Sequence, residues 1–207
     1  MTLIEFWALR YDLILRLLVQ HTRILLISLF FAVVLGVPIG ILVSSVKKIT
    51  YPVMLVINAL QAIPSLALLG FLIPIVGVKE HTAIILIVIY AILPIVKNTY
   101  SGLINIETQY IEAALGMGMT RWQLLKKVQF PLALPVIMTG VRIASVSGVG
   151  LVTIAAYSGG RGLGYLVYSG INTLDINMIL SGAIPAAALA LLMDFAVSRI
   201  DKFMTEK

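Results

Sequence analysis

Long runs of apolar residues dominate the chain. A membrane-spanning helix needs about 20 such residues, and five stretches reach or approach that length: residues 24–46, 52–78, 82–96, 135–158 and 178–198. The second stretch contains Pro64 and Pro74, and the third becomes long enough only if it continues past Lys97 toward Leu103. The pattern predicts an all-α membrane protein of about five transmembrane helices, forming a single domain over residues 1–207.

The composition agrees with this reading. Of 207 residues, 60% are hydrophobic and 12% are charged, whereas a soluble domain carries about 25% charged residues. The formal net charge of +6 comes from basic residues between the apolar runs, so it indicates orientation in a lipid bilayer and not a nucleic-acid partner. The absence of cysteine excludes disulfides and thiolate metal sites.

Lysine and arginine also predict the orientation. Five spans place the connections alternately on two sides, with nine basic residues on one side and five on the other. The richer side is expected to be cytoplasmic, so the C-terminus lies inside and the N-terminus outside. Residues 1–23 are expected to form an extracellular amphipathic helix lying flat on the membrane. Its apolar side would contain Phe6, Leu9, Leu13, Ile14 and Leu17.

The longest connection between spans, residues 102–134, falls on the predicted cytoplasmic side. Residues 110–119 are expected to be helical and to carry small side chains that permit close approach by another protein. A second short helix is expected over residues 121–128, ended by Pro131. The composition of this stretch is equally consistent with a loop that only connects two spans and with a segment that docks on another protein.

The spacing within this connection favours docking. Glu112-Ala113-Ala114 is followed after three residues by Gly118, and after nine more by Val128, Gln129, Phe130 and Pro131. This resembles the E-A-A-x3-G-x9-I-x-L-P motif of ABC importer permeases, with Val128 for isoleucine and Phe130 for leucine. The resemblance implies a type I ABC importer permease fold in a bacterial cell membrane. It makes residues 105–131 a cytoplasmic coupling segment that docks on an ATPase through Glu112, Ala113, Ala114, Gly118 and Pro131.

Three further segments resemble the osmoprotectant branch of these permeases. Residues 61–67 (QAIPSLA) resemble Q-T-(I/L)-P-S-L-A, residues 93–100 (LPIVKNTY) resemble L-P-I-(V/L)-(R/K)-N-T-Y, and residues 159–164 (GGRGLG) resemble G-G-G-G-L-G. The implied substrates are glycine betaine, carnitine and choline. Methionine-type amino-acid permeases share the architecture and the glycine-rich loop, so an amino-acid importer is the alternative within the family.

The resemblance also implies partners. These are the ATPase, which would bind ATP and Mg so that this chain needs no cofactor, and a second permease that is another copy or a homologue. An extracellular substrate-binding protein would dock at the glycine loop, residues 159–164. The residues expected to contact it are Gly159, Gly160, Arg161, Gly162 and Gly164.

Polar residues within the spans are candidates for the translocation path, although each is also suited to hydrogen bonding between helices. They are Asn58, Gln61, Ser65, Ser145 and Ser147. Arg142 and Asp194 are charges within spans. Snorkelling to the membrane surface is the simpler expectation for Arg142, and pairing with a neighbouring helix for Asp194.

Several functions are not supported by the sequence. The chain has no Walker A lysine loop, no catalytic constellation and no metal-ligand spacing around His21 or His81, so we do not expect an enzyme. An independent secondary transporter or channel would need inverted repeats or buried coupling charges, and neither is visible. A purely structural membrane anchor remains an alternative. Few aromatic residues and one acidic residue lie in the spans, so substrate affinity is expected to reside mainly in another subunit.

Overall fold

The computed structural model describes residues 2–159 and 162–205, and every regular element in these ranges is helical. In chain order the α-helices are α1 (Leu3–Ser45), α2 (Lys47–Ala62), α3 (Ser65–Val76), α4 (Glu80–Ile104), α5 (Thr108–Gly116), α6 (Arg121–Leu124), α7 (Phe130–Ile154), α8 (Gly164–Thr173) and α9 (Ile176–Thr205). A π-helical turn, Leu125–Gln129, joins α6 to α7, and a 3₁₀ turn, Ala155–Ser158, extends α7. Four of these helices are long and apolar enough to cross a membrane, and α2 with α3 supplies a fifth, broken span. The predicted all-α membrane fold is confirmed.

The first helix is longer than the sequence predicted. A capping box between Thr2 and Glu5 starts α1, which then continues for 43 residues, or about 65 Å at 1.5 Å per residue. No break occurs at residue 23, so the expected separate helix is instead the first half of α1. Ile14 and Leu17 bury in the same core as Ile24 and Leu25, which explains why this half packs on the bundle.

The second predicted span is two helices and not one. The axes of α2 and α3 differ by 97° across a break between Ala62 and Ser65. Pro64 lies at this break in an extended conformation, and it cannot continue a helix because it has no backbone N–H to donate. Helix α4 holds the break in place, since the hydroxyl of Tyr90 donates a hydrogen bond to the carbonyl oxygen of Ile63.

Helices α1, α4 and α7 pack closely because glycines allow their backbones to approach. A Cβ atom added at Gly36 or Gly40 of α1 would lie 2.9 or 2.5 Å from side-chain atoms of Ile95 or Thr99 in α4. On the other face of α4, a Cβ at Gly140 of α7 would lie 2.8 Å from the carbonyl oxygen of Pro94. These contacts make α4 the central helix, with α1 and α7 on either side of it.

Pro131 does not end a helix, contrary to the expectation from the sequence. One continuous helix runs from Arg121 to Ser158, and it includes α6, α7 and the turns that join and extend them. In the π-helical turn the N–H of Phe130 reaches the carbonyl oxygen of Leu125, five residues earlier. This wider turn immediately precedes the proline, and Pro131 follows it in the first turn of α7 without ending the helix.

Helices α8 and α9 complete the bundle. Helix α8 follows the glycine loop and was not predicted, since its ten residues mix polar and apolar side chains. Helix α9 lies beside α7, α8 and the first half of α1, where the indole N–H of Trp7 donates to the hydroxyl of Ser181 at 2.8 Å. The glycine loop and the coupling segment consequently lie at opposite ends of α7.

Candidate functional site

The coupling segment is built from two helices that meet at a glycine. Gly118 has φ +78°, a left-handed conformation that favours glycine. The N–H of Gly118 bonds the carbonyl oxygen of Leu115 at 2.9 Å, and the N–H of Met119 bonds that of Ala114 at 3.2 Å. These two bonds form a Schellman motif that ends α5. The fixed glycine of the motif is therefore explained by backbone geometry.

One residue separates this motif from the next helix. The hydroxyl of Thr120 accepts from the N–H of Gln123, and the side-chain oxygen of Gln123 accepts from the N–H of Thr120. This capping box starts α6 directly after Met119. Because both helix ends are satisfied locally, the angle between α5 and α6 is set by the segment itself.

The coupling segment exposes apolar surface that the chain does not cover. Met117 and Trp122 are 72% and 69% exposed, and Tyr110 and Leu115 are also exposed. Of the predicted coupling residues, Glu112, Ala113, Gly118 and Pro131 are exposed, whereas Ala114 is buried against the rest of the protein. Large exposed apolar side chains around small ones are typical of a protein docking surface.

A cavity of about 610 Å³ opens on the side of α4 and α7 near the middle of the bundle. We call it the central cavity. Its lining residues come from the end of α2, from α4 and from α7: Gln61, Tyr90, Leu93, Pro94, Ile143, Ser147, Gly150, Leu151 and Ile154. Most of this lining is apolar, and the polar groups are few and separated. Such a surface permits weak contacts with a small passing molecule.

The structure brings together two of the five predicted path residues. Gln61 and Ser147 line the central cavity although they are far apart in sequence. Asn58 is exposed on α2 and Ser65 is half-buried at the start of α3, and neither lines it. Ser145 does not fit the expectation, because it is fully buried and its hydroxyl donates to the carbonyl oxygen of Arg142.

One face of α4 carries side chains that the sequence reading missed. Tyr90, Leu93, Pro94 and Lys97 follow the three- and four-residue spacing of a single helix face, and the first three line the central cavity. The ammonium of Lys97 donates to the amide oxygen of Gln61. A tyrosine and a lysine at this spacing in an apolar span are the signal that could have identified the face.

The glycine loop packs tightly at the opposite end of the bundle from the coupling segment. Gly159 and Gly162 have φ +74° and +120°, and a Cβ at Gly164 would lie 2.2 Å from the carbonyl oxygen of Thr153. A Cβ added at Gly162 would lie 3.3 Å from the Cβ of His21 in α1. Gly160 and Arg161, the other two predicted docking residues, lie outside the described residues. Glycine is therefore required here by backbone conformation and by close packing.

An ion pair joins α7 to α9 within the spans. The guanidinium of Arg142 binds both carboxylate oxygens of Asp194, with Nη2 to Oδ2 at 2.6 Å. The pairing expected for Asp194 is present, and Arg142 is its partner and does not lie free at the membrane surface. Both side chains remain partly exposed in the single chain, at 48% and 35%. In the described residues no group of three potential metal-ligating side chains comes together.

A bundle of apolar helices with a broken span and a lateral cavity is typical of a membrane transport protein. Residues 14–206 match the family described as binding-protein-dependent transport system inner membrane component. The chain belongs to this family, and it is a transport subunit and not an enzyme.

Curated relatives agree with this assignment. The chain is 43% identical over 188 residues to the carnitine transport permease protein OpuCB of Listeria monocytogenes, covering 91% of this chain and 86% of the relative. It is 35% identical to the glycine betaine/carnitine/choline transport system permease protein OpuCB of Bacillus subtilis, covering 91% and 87%. A solved structure of the MetNI methionine ABC transporter, in inward-facing conformations, matches with TM-score 0.86 and 26% identity, covering 95% and 98%. The predicted importer permease fold is confirmed.

Proposed function

We propose that this chain is the membrane-spanning permease of an ATP-driven importer of quaternary ammonium osmolytes, namely glycine betaine, carnitine and choline. The observation that carries the substrate class is the 43% identity, over nine-tenths of the chain, to a permease named for carnitine. The permeases named for methionine transport resemble the chain in fold at 26% identity. Uptake of labelled glycine betaine, carnitine, choline and methionine by the reconstituted importer tests the proposal. Uptake of methionine alone would replace it with the amino-acid alternative.

The partners follow from the same proposal. An ATPase that binds ATP and Mg would dock on the coupling segment, and a substrate-binding protein would dock near the glycine loop outside the cell. Two permease chains, identical or homologous, would enclose the path between them. The polar side chains of Gln61 and Ser147 on the lining of the central cavity support this pairing, because a second chain would shield them from lipid.

The proposed docking of the ATPase on the coupling segment is tested by placing a large side chain at positions where the chain itself leaves space. A Cβ at Gly116 or Gly118 meets no atom within 4 Å, so a tryptophan at either position projects into the space that the ATPase would occupy. We expect Gly118→Trp and Gly116→Trp to insert normally into the membrane but to abolish both transport and substrate-stimulated ATP hydrolysis.

Two alanine variants separate bulk from backbone strain. Gly116→Ala adds one methyl group in a helix and should couple normally. Gly118→Ala keeps the space free but forces alanine into the left-handed region, which costs about 1–2 kcal/mol. Its coupling should be weakened and not lost. Normal transport and ATP hydrolysis by Gly118→Trp would remove the coupling role from this segment.

A further inference from the structure

Lys97 is a positive charge within α4, and no acidic side chain among the described residues forms an ion pair with it. The described residues form two ion pairs, Arg23–Glu80 and Arg142–Asp194, and Lys97 belongs to neither. Its ammonium donates only to a neutral group, the amide oxygen of Gln61. A charge within a span normally faces a partner or a water-filled cavity. Lys97 is therefore available to an anionic group from another molecule.

The position of Lys97 connects it to the central cavity. Tyr90, Leu93 and Pro94 line the cavity, and Lys97 continues the same face of α4 by one more turn. Gln61, its hydrogen-bond partner, also lines the cavity. The charge is consequently in hydrogen-bond contact with a residue that lines the cavity.

The rest of the cavity does not compensate this charge. None of its described lining residues is acidic. Asp194, an acidic residue within α9, is already bound through both oxygens to Arg142. Lys97 therefore contributes a positive potential that no described lining residue offsets, and a second identical chain across the cavity would add to it. A positive potential attracts a carboxylate and repels a molecule whose only charge is positive.

We propose that the central cavity selects for zwitterionic osmolytes that carry a carboxylate, and that Lys97 is the residue that meets this carboxylate. Glycine betaine and carnitine belong to this class, whereas choline, a cation without a carboxylate, passes less readily. This inference rests on the proposed osmolyte transport and narrows its substrate class. The selection acts on passage through the membrane, in addition to capture by the binding protein. A carboxylate replaces the amide of Gln61 as the acceptor of the ammonium hydrogen bond, which strengthens that bond.

Charge-preserving and charge-removing substitutions test the role of Lys97. The complete importer, with its ATPase and binding protein in proteoliposomes, is assayed for initial rates of glycine betaine and choline uptake at saturating substrate. Lys97→Arg keeps the charge, and Lys97→Gln removes it. Gln61→Glu keeps the lysine but neutralises it with a carboxylate in hydrogen-bond contact. The same wild-type binding protein is used throughout, so its own preference cancels when variants are compared.

We expect Lys97→Gln and Gln61→Glu to lower glycine betaine uptake by about tenfold, the order of one lost charge-assisted hydrogen bond. Choline uptake should change by less than about twofold in both, and Lys97→Arg should retain the wild-type preference. An equal fall for both substrates would show that Lys97 is structural, and so would loss of glycine betaine uptake in Lys97→Arg. Unchanged uptake in Lys97→Gln would also overturn the proposal.

The substrates that the wild-type importer carries distinguish a failure of this inference from a failure of the proposed osmolyte transport on which it rests. If it carries neither glycine betaine, carnitine nor choline, the proposed function fails. If it carries choline but not glycine betaine or carnitine, the osmolyte function stands and the selection by Lys97 fails. If it carries glycine betaine but not choline, the contrast between Lys97→Arg and Lys97→Gln still decides whether the positive charge is required.

Discussion

Gly40 lies at a close approach of α1 to α4. A Cβ there would be 2.5 Å from the Cβ of Thr99 and 3.1 Å from the carbonyl oxygen of Val96. Because neither atom is the end of a flexible side chain, α1 must move away from α4 to admit a methyl group. We expect Gly40→Ala to destabilise the protein by about 1–3 kcal/mol, measured as a lower melting temperature of the purified complex.

Gly70 provides the matched control for this prediction. It lies inside α3, and a Cβ there meets no atom within 4 Å. Gly70→Ala should therefore leave stability unchanged or raise it by up to about 1 kcal/mol, the usual preference for alanine within a helix. Equal melting temperatures for the two variants would show that the close approach at Gly40 does not contribute to stability.

At the scale of the helices, the Arg142–Asp194 pair joins α7 to α9. Arg142→Met or Asp194→Leu alone leaves one charge unpaired among apolar side chains, so each should lower the yield of folded complex in the membrane. The double variant removes both charges and should be affected less than the sum of the two single variants. The exchange of the two residues, Arg142→Asp with Asp194→Arg, should restore part of the lost stability.

Melting temperatures of the wild-type complex, the two single variants and the double variant measure this coupling. The comparison is a double-mutant cycle, in which the difference from additivity reports the interaction of the two side chains. Strictly additive effects would mean that the pair does not hold α7 against α9.

At the scale of the helices, the sequence predicts those elements that are determined by their own stretch of residues. The apolar runs that predict α4, α7 and α9 are long. Because a membrane span requires such length and apolarity, these helices lie close to their predicted positions. The proline at residue 64 predicted a break but not its 97° angle. That angle depends on tertiary hydrogen bonds from Tyr90 and Lys97, which no local pattern records.

For other elements the same residues are compatible with two local structures, and the sequence does not show which one forms. Pro131 reads as a helix stop, yet a π-helical turn before it allows the helix to continue. Residues 3–23 carry charges that suggested a separate surface helix, but packing of Ile14 and Leu17 against the bundle keeps them in α1. Helix α8 is too short and too mixed in polarity for its periodicity to be recognised.

At the scale of the whole molecule, the candidate site was predicted in part. Gln61 and Ser147 are polar residues in apolar spans, and folding places both on the central cavity. Ser145 is also polar in an apolar span but is fully buried. The polarity of a side chain does not show which face of its helix lines a cavity. The sequence therefore identifies these polar residues but does not distinguish those that line the cavity from those that are buried between helices.

The orientation of the molecule in the membrane is a further prediction. Nine basic residues on one side against five on the other place the C-terminus in the cytoplasm and the N-terminus outside. The chain contains no cysteine, so Thr2→Cys and Thr205→Cys each introduce a unique thiol. We expect a membrane-impermeant thiol reagent to label Thr2→Cys, but not Thr205→Cys, on intact cells.

Permeabilised cells supply the control, since both variants should then be labelled. Labelling of Thr205→Cys alone on intact cells would invert the topology. It would also place the coupling segment outside the cell, where no ATP-driven partner could reach it.

The continuous helix from Arg121 to Ser158 has a mechanical consequence. Its 38 residues extend about 57 Å at 1.5 Å per residue. One end carries Trp122 on the coupling segment, and the other passes Ser147 and Ile154 on the cavity wall. Pivoting about its midpoint, a rod of this length converts a tilt of about 10° into a stroke of about 5 Å at each end, close to one helical pitch. Ser147 and Ile154 lie nearer the pivot than the helix end does, so the same tilt moves them by about 2 Å and about 4 Å. A small rotation of the Trp122 end thus changes the width of the cavity at its other end.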